Sequence, residues 1–303
     1  MNSLDKLVLE VGLSRDVIEN YITFADKHYN TYYLPKKSGG KRTIESPGKN
    51  LKTIQRWVLK NHLNKFEVNK RANGFVIKRG IKRNALFHLN KKFILTIDIK
   101  DFFPSISQKQ VFESLNEHFT ERDFALKIAK LCTYKRRLPQ GAPTSPMLSN
   151  LVFKKLDDGI MKYCNSESIN YSRYADDLSF SSDNKNSLQF AYKFVTELLY
   201  TNGFNINNKK TRYLSGKENM SITGVNVNMG VPKVSSKLKK QVRAELHHYI
   251  IKEKKTNLKS LAGYISFISS IEDDYSEKIK SYINKLKKEK KRLAEVKKKA
   301  KKH

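Results

Sequence analysis

The sequence of 303 residues has few cysteines and no long apolar run. Its two cysteines, Cys132 and Cys164, stand far apart without an accompanying His/Cys cluster, which argues against a disulfide framework and against a structural zinc site. We interpret both as small core or surface residues in a reducing compartment. The N-terminal segment lacks the basic, apolar and small-residue order of a secretion signal. We therefore expect a cytoplasmic protein that is neither membrane-spanning nor secreted.

Acidic residues are also scarce. There are 60 Lys and Arg against 29 Asp and Glu, which gives a formal net charge of +31. Each Lys or Arg that contacts a phosphate releases a counterion, so this excess favours a polyphosphate partner. The composition is 39% hydrophobic, which is enough to form a core and excludes a wholly disordered chain. Nucleic acid is the expected partner.

Residues 32–45 carry the pattern of a basic β-hairpin. Two β-prone runs flank Ser38-Gly39-Gly40, and this triplet is typical of a hairpin tip. The second run begins with Lys41 and Arg42, so the hairpin presents positive charge near its tip.

The central part of the chain predicts an antiparallel sheet backed by helices. The almost continuous apolar run 93–99 indicates a strand covered on both faces, with Asp98 at its C-terminal end. Alternating residues on both sides of Ala175-Asp176-Asp177 indicate a hairpin. Helical patterns at 108–132 and 144–163, a further helix after the hairpin, and short strands at 204–206 and 220–227 complete the order β-α-α-β-β-α-β. This order predicts an α+β fold with a four-stranded sheet.

From residue 232 the chain becomes helical and strongly basic. Its apolar residues recur at spacings that predict three helices. Beyond Lys287 most residues are charged, so we expect the last helix to fray into a mobile basic arm, and this arm is either a solvated face or a contact for RNA.

Three carboxylates form the candidate site. A buried strand that ends in Asp98, beside a hairpin whose turn is Asp176-Asp177, brings three like charges together if the strands are neighbours. Such a cluster is costly unless cations share it, and oxygen ligands suit Mg²⁺ or Mn²⁺. Two such ions support in-line phosphoryl transfer. The alternative is that Asp176-Asp177 only form a turn.

The same residues carry a family resemblance. Tyr174-Ala175-Asp176-Asp177 resembles the YxDD box of reverse transcriptases, and the segments 97–103 and 138–146 resemble their first palm motif and their LPQG…SP motif. The resemblance implies a right-hand polymerase fold with fingers, a ferredoxin-like antiparallel palm sheet and an α-helical thumb. It divides the chain into N-terminal helices and fingers (1–92), palm with interleaved fingers segments (93–231) and thumb with the lysine-rich tail (232–303).

The resemblance also implies roles for individual side chains. Asp98, Asp176 and Asp177 would hold two catalytic Mg²⁺ ions, with Mn²⁺ as a substitute. Phe103 matches the steric gate that rejects a 2′-hydroxyl and so selects dNTPs; packing against Phe102 is the alternative.

The remaining dNTP-binding residues follow from the same comparison. Arg42, assisted by Lys41, matches the fingers residue that binds the triphosphate, a role suited to a planar guanidinium. Gln140 matches the turn that lets the chain approach the incoming nucleotide. Lys210 stands where the family has a lysine near the leaving pyrophosphate, although Lys209 fits the spacing as well.

Two further motifs resemble those of bacterial retron reverse transcriptases. Asn84-Ala85-Leu86-Phe87-His88 fits their NAxxH pattern, and Ser221-Ile222-Thr223-Gly224-Val225 resembles their VTG element, with Ile in place of Val. RNA binding is thereby implied for Asn84, His88, Thr223 and Gly224. An ordinary helix turn with a packed histidine and a common strand end are the structural alternatives.

A retron enzyme implies specific partners. These are a cognate structured non-coding RNA that serves as template and primer, dNTPs, an RNA–DNA hybrid product begun at a guanosine 2′-hydroxyl, and a separate effector protein in anti-phage defence. The rival interpretations are a group II intron-like or diversity-generating reverse transcriptase, a non-catalytic RNA-binding scaffold, and a metal-dependent phosphodiesterase.

Overall fold

The computed structural model describes residues 3–35, 39–216 and 219–300. The chain forms two compact units. The first comprises Met1–Gly80 with Lys92–Tyr213, and the second comprises Ile81–Lys91 with Leu214–His303. Within the described ranges every helix is too short or too polar to cross a membrane.

The first unit is rich in helices. Ser14 caps the second helix by accepting a hydrogen bond from the Val17 backbone N–H, as its position in the sequence predicts. The helices are α1 (Ser3–Val11), α2 (Arg15–Thr23) and α3 (Lys49–Asn61), then α5 (Phe102–Ser105), α6 (Gln108–Asn116), α7 (Arg122–Cys132), α8 (Ser145–Val152), α9 (Lys154–Ser166) and α10 (Lys185–Thr201).

Two of the predicted helical stretches are each divided. The stretch 108–132 breaks between α6 and α7, where Phe119 leaves the helix and packs its ring against His62, Phe66 and Phe124. The stretch 144–163 breaks at Phe153, whose fully buried ring packs against Phe102 and Phe204. In both places aromatic packing overrides local helix propensity.

The basic hairpin is confirmed by two antiparallel strands, β1 (Tyr29–Pro35) and β2 (Lys41–Pro47). Its root is buried at Tyr29 and Glu45, whereas the residues of β1 after Tyr29 are all exposed. Residues 36–38 of the predicted tip lie outside the described residues.

The first unit contains a four-stranded sheet with the strand order β4-β5-β3-β6. Its strands are β3 (Phe93–Asp98), β4 (Asn170–Tyr174), β5 (Asp177–Ser182) and β6 (Arg212–Ser215). The pairs β3–β5 and β4–β5 are antiparallel, as the sequence predicts. The core lies between this sheet and the helices and includes Leu95, Leu178 and Phe180.

The fourth strand is not where the sequence predicts it. Residues 204–206 form only an isolated bridge between Ile206 and Ile99, and the strand that joins the sheet is β6. Phe204 is buried among aromatic rings, and the Asn205 carbonyl accepts a hydrogen bond from the Lys100 N–H. The segment is therefore held by packing and single hydrogen bonds instead of by a ladder.

The second unit contains one short helix, a small sheet and three long helices. Its elements are α4 (Ile81–Leu86), β7 (Ser221–Ile222), β8 (Val225–Asn226), β9 (Lys233–Val234), α11 (Ser236–Ile250), α12 (Leu258–Ile271) and α13 (Tyr275–Ala300). The three predicted C-terminal helices are present. Helix α13 continues beyond Lys287, where we expected fraying, because its Lys, Glu, Leu and Ala residues favour helix and Lys290 pairs with Glu253 at 2.6 Å.

The two units differ from the three parts predicted from the sequence. Residues 81–91 and the hairpin β7–β8 group with the C-terminal helices. The terms fingers, palm and thumb describe functional parts of a polymerase and not compact units. The predicted division into these three parts therefore stays a prediction.

Candidate active site

The three candidate carboxylates lie at one end of the sheet. Asp98 ends β3, Asp177 begins β5, and the two residues are direct partners in the antiparallel register. Asp176 occupies the turn before β5, and its carbonyl accepts a hydrogen bond from the Ile99 N–H at 3.0 Å. Like charges directly opposite each other destabilise a sheet. A purely structural role does not compensate for this destabilisation.

The electrostatics of the cluster reflect this crowding. Burial raises the pKa of Asp176, and the Asp98 charge raises it further, while Lys210 and Arg42 act in the opposite direction. Partial loss of hydration, followed by repulsion from the charges of Asp176 and Asp98, raises the pKa of Asp177 to about 6. The Asp177 side chain is exposed to solvent, which favours repulsion by Asp176 and Asp98 over burial as the cause of the raised pKa.

Lys210 is the cation closest to this cluster in the described contacts. Its Nζ lies 2.8 Å from Asp98 Oδ2, and the hydrogen bond raises the pKa of Lys210. The spacing alone left Lys209 and Lys210 equivalent, and the turn at 207–211 brings Lys210 to the carboxylates.

The turn that carries Asp176 has a strained backbone. Ala175 has φ 57°, in the left-handed region where a residue with a Cβ costs about 1–2 kcal/mol. Strain of this kind persists only where the surroundings hold it. The Ala175 carbonyl accepts a hydrogen bond from Arg173 Nη1 at 3.0 Å.

Arg173 is a supporting residue that the sequence analysis missed. It is fully buried and forms a two-pronged ion pair with buried Asp157, with Nε to Oδ1 at 2.9 Å and Nη2 to Oδ2 at 2.6 Å. The Tyr171 hydroxyl donates to Asp157 Oδ1 at 2.6 Å. Burial alone would lower the pKa of Arg173, but the Asp157 charge outweighs burial and raises it. The available signal was an Arg at an inward-facing position of an alternating strand.

A strap of residues 71–75 crosses the same turn. The Asn73 N–H donates to the Arg173 carbonyl at 2.7 Å, and buried Asn150 donates from Nδ2 to the Gly74 carbonyl at 2.9 Å. A Cβ on Gly74 would lie 2.6 Å from the Ala175 nitrogen, so only glycine allows this approach. The strap thus lies directly against the turn that carries Asp176.

The ring of Phe103, the predicted steric gate, is half-buried between two other rings. Its centre lies 5.6 Å from that of Phe102 and 6.1 Å from that of Phe75. Phe102 is buried and Phe103 is only half-buried, so part of the Phe103 side chain is exposed to solvent.

The two faces of the hairpin separate Lys41 from Arg42. Residues opposite each other in an antiparallel pair share a face, and Arg42 pairs with Leu34 whereas Lys41 pairs with Pro35. We call the face with Leu34, Arg42 and Ile44 the inner face. Ile44 Cγ2 would lie 3.0 Å from a Cβ on Gly141, and the Arg42 charge acts on Asp176.

The segment after Leu138 supports the hairpin. The Gln140 carbonyl accepts a hydrogen bond from the Glu45 N–H at 2.9 Å, and Ser145 Oγ donates to the Pro139 carbonyl at 2.7 Å. Gly141 has φ 142°, in the region that favours glycine. The motif that contains Gln140 therefore packs directly against β2.

The four residues predicted to bind RNA lie together in the second unit. Asn84 and His88 are fully buried, and Asn84 Nδ2 donates to Thr223 Oγ1 at 3.2 Å. Thr223 and Gly224 form the turn between β7 and β8, both with positive φ, as a type I′ hairpin requires. Of the four, Gly224 is exposed and Thr223 is partly so.

Both cysteines are free and buried, so of the two predicted settings, core and surface, the structure shows the core. Burial raises the pKa of each thiol to about 12.

The carboxylate cluster fits divalent ions by donor type and by charge. It offers only hard oxygen ligands, and burial together with mutual repulsion raises the pKa of Asp176 and Asp177. In the described ranges no three His, Cys, Asp or Glu side chains converge to form a metal site as they stand. Asp98 instead pairs with Lys210.

Comparison with known proteins identifies the family. Residues 34–227 match the model of the family described as reverse transcriptase (RNA-dependent DNA polymerase). The chain is 34% identical to the retron Ec86 reverse transcriptase of Escherichia coli over 95% of this chain and 90% of that protein. The chain belongs to the bacterial retron reverse transcriptases. It is also 30% identical to the retron Mx65 reverse transcriptase of Myxococcus xanthus, over 89% of this chain and 68% of that one.

The activity predicted from the sequence is thereby confirmed: this retron reverse transcriptase is an RNA-directed DNA polymerase. Reverse transcriptases act with divalent metal ions and copy RNA templates.

The predicted fold class is also confirmed. A telomerase from Candida albicans, solved in complex with a TWJ fragment of telomeric RNA, aligns with 91% of this reverse transcriptase at a TM-score of 0.54 and 12% identity. The aligned region spans 65% of the telomerase chain. At this identity the likeness concerns the right-hand polymerase fold alone.

Proposed function

We propose that this reverse transcriptase joins dNTPs to a primer with two Mg²⁺ ions held by Asp98, Asp176 and Asp177. The observation that carries the proposal is the pairing of Asp98 opposite Asp177, with Asp176 in the adjoining strained turn. When bound, the ions neutralise the carboxylates, activate the attacking hydroxyl and stabilise the leaving oxygen. Mn²⁺ can replace Mg²⁺ because both prefer oxygen ligands.

The other side chains bind and select the nucleotide. The primer hydroxyl oxygen forms a bond to the α-phosphorus while the bond to pyrophosphate breaks. Arg42 on the inner face pairs with triphosphate oxygens, and the Lys210 ammonium neutralises charge on the departing pyrophosphate. The Phe103 ring leaves no room for a 2′-hydroxyl. Gln140 supports β2 and faces the incoming nucleotide.

The assignment of Lys41 changes. It stands on the opposite face of the hairpin from Arg42, so we no longer assign it to the triphosphate.

RNA recognition is assigned to the Thr223-Gly224 turn. Asn84 supports this turn from the buried side through its hydrogen bond to Thr223, and His88, four residues later in the same motif, is buried as well. In functional terms, residues 1–92 form the N-terminal helices and fingers, 93–231 the palm, and 232–303 the thumb and basic tail.

The retron family suggests the priming and the biological context. The cognate structured RNA serves as template and primer, and synthesis begins at a guanosine 2′-hydroxyl to give a branched RNA–DNA hybrid. The enzyme acts in the cytoplasm with a separate effector protein in defence against phage.

Substitution of the acidic turn tests the chemistry. The variant Asp176→Asn, Asp177→Asn should lose primer extension on an RNA template by at least about a thousandfold, because the charge that holds the ions is removed. Extension is measured with Mg²⁺ and dNTPs, and Asp183→Asn at the far end of β5 is the matched control. Undiminished extension by the double variant would refute the assignment.

A further inference from the structure

A buried carboxylate joins the root of the hairpin β1–β2 to the segment before Gln140. The Glu45 side chain is 6% exposed, and its Oε1 accepts a hydrogen bond from Arg137 Nη2 at 2.7 Å. Glu45 lies three residues after Arg42 on β2. On the other side of the ion pair, Arg137 lies three residues before Gln140. The pair therefore connects the strand that carries the proposed triphosphate contact to the loop that supports this strand.

Arg137 ends a tight turn whose backbone is strained. Tyr134 and Arg137 exchange both of their backbone hydrogen bonds, at 2.9 and 3.1 Å, so Lys135 and Arg136 form a two-residue loop. Both loop residues have positive φ, 49° and 57°, at positions where turns of this kind prefer Asn-Gly. Asp26 Oδ1 accepts a hydrogen bond from the Lys135 N–H at 2.9 Å, so the strained backbone is held from outside the turn.

Both residues that flank this loop contact the root of the hairpin. The Tyr134 ring centre lies 4.8 Å from that of Tyr29, the first residue of β1. Arg137 reaches β2 through Glu45, whose backbone N–H also donates to the Gln140 carbonyl at 2.9 Å. The strained turn thereby contacts both strands of the hairpin where they begin and end.

Three features of this arrangement lower its stability. Glu45 is a buried charge, and two residues with a Cβ occupy the left-handed region. Within the described residues, the buried Arg137 Nε has no hydrogen-bond partner. An ion pair with a buried carboxylate is weak support for stability, because that charge loses its hydration. The pair does provide geometry, since a guanidinium and a carboxylate bind in a fixed relative orientation.

We propose that the Glu45–Arg137 pair positions Arg42: it holds β2 on the Gln140 segment so that the Arg42 guanidinium reaches the incoming triphosphate. This inference rests on the proposed function, since it assumes that Arg42 binds the triphosphate. Glu45 and Arg137 are positioning residues that act through Arg42, and neither binds the nucleotide. A triphosphate contact holds the nucleotide both before and during the reaction. Loss of the pair should therefore raise the KM for dNTP and leave kcat unchanged.

Steady-state primer extension by the full-length enzyme at saturating template tests this inference. Arg137→Met removes one member of the pair and should raise the KM for dNTP by about tenfold. A hydrogen bond to a charged group accounts for about ten- to hundredfold in affinity, and a displaced Arg42 loses part of it. The kcat should stay at the wild-type value. The urea midpoint should fall, because Glu45 is left as an unpaired buried charge.

A double variant separates position from stability. Adding Glu45→Met to Arg137→Met removes the buried charge and should restore the urea midpoint. The KM should stay raised, because two apolar side chains have no fixed direction of contact. Arg42→Gln should itself raise the KM, and adding the double substitution to it should raise the KM no further. Glu117→Gln breaks an exposed ion pair with Lys155 and is the matched control, which should behave as the wild type.

Recovery of the KM together with the urea midpoint in the double variant would overturn the inference, since the pair would then only stabilise the fold. A fall in kcat at an unchanged KM, or a further rise in KM in the Arg42→Gln background, would do the same. If Arg42→Gln leaves the KM unchanged, the proposed triphosphate role of Arg42 fails and this inference fails with it. If Arg42→Gln raises the KM and the double variant does not, the inference alone fails.

Discussion

Arg173 is the largest fully buried side chain in the described part of the chain, and it lies one residue before the YADD turn. Its ion pair with Asp157 is fully buried, and such a pair is weak support for stability because both charges lose their hydration. What the pair does provide is orientation. With Asp157 holding Nε and Nη2, Nη1 is aimed at the Ala175 carbonyl and holds the strained turn.

Separate measurements of stability and rate can distinguish orientation from stabilisation. Arg173→Met should lower the free energy of unfolding by about 3–5 kcal/mol, because Asp157 is left as an unpaired buried charge. Adding Asp157→Asn removes that charge and should recover part of the stability in urea titrations. The rate of primer extension should remain low in the double variant, since the hydrogen bond to Ala175 is still absent. Full recovery of the rate would mean that Arg173 has only a structural role.

The strap 71–75 shows how one element positions another. It runs parallel to β4 at the Ala72–Arg173 bridge and brings Gly74 against the turn that follows the strand. Because the approach is backbone to backbone, no side-chain rearrangement can relieve a new Cβ there. The turn and its two aspartates must move instead.

Gly74→Ala should therefore lower kcat by about ten- to hundredfold, as small displacements of catalytic groups do. Gly80→Ala is the matched control, because a Cβ on Gly80 has no atom within 4 Å. Steady-state extension with saturating template and dNTPs gives kcat for both variants. Equal rates for Gly74→Ala and wild type would show that the contact does not constrain the turn.

Elements with a strong local pattern were predicted correctly. Strand β3 is an almost continuous apolar run and β4–β5 alternate around a turn, so their positions follow from the sequence. Strand β6 has only four residues and no period-two burial, and its position depends on pairing beside β3. The breaks at Phe119 and Phe153 also escaped prediction, because distant rings produce them.

The charge of +31 belongs to the chain as a unit, and it favours retention of a polyanionic product. Phosphate contacts release counterions, so binding weakens steeply as salt increases. The proposed branched RNA–DNA hybrid carries many phosphates on both strands.

Nucleic acid should therefore copurify with the enzyme expressed from its native locus and dissociate at high salt. Sequencing should find DNA whose 5′ end is joined to the 2′-hydroxyl of an internal RNA guanosine. Treatment with a debranching enzyme provides the control, since it should release a free DNA 5′ end. DNA with an unjoined 5′ end would contradict the proposed priming.

Local patterns were sufficient for the α+β class, the hairpin, the acidic triplet and the family, because each depends on residue types at short, regular spacings. Because side chains alternate along a strand, the sequence already implied that Lys41 and Arg42 lie on opposite faces of the hairpin, although we had predicted that both bind the triphosphate. Contacts between distant segments decided the rest. The choice of Lys210 over Lys209, the support of Ala175 by Arg173, and the burial of Asn84 and His88 all depend on how the chain packs. No local spacing encodes such contacts, since they arise only when remote elements share one core.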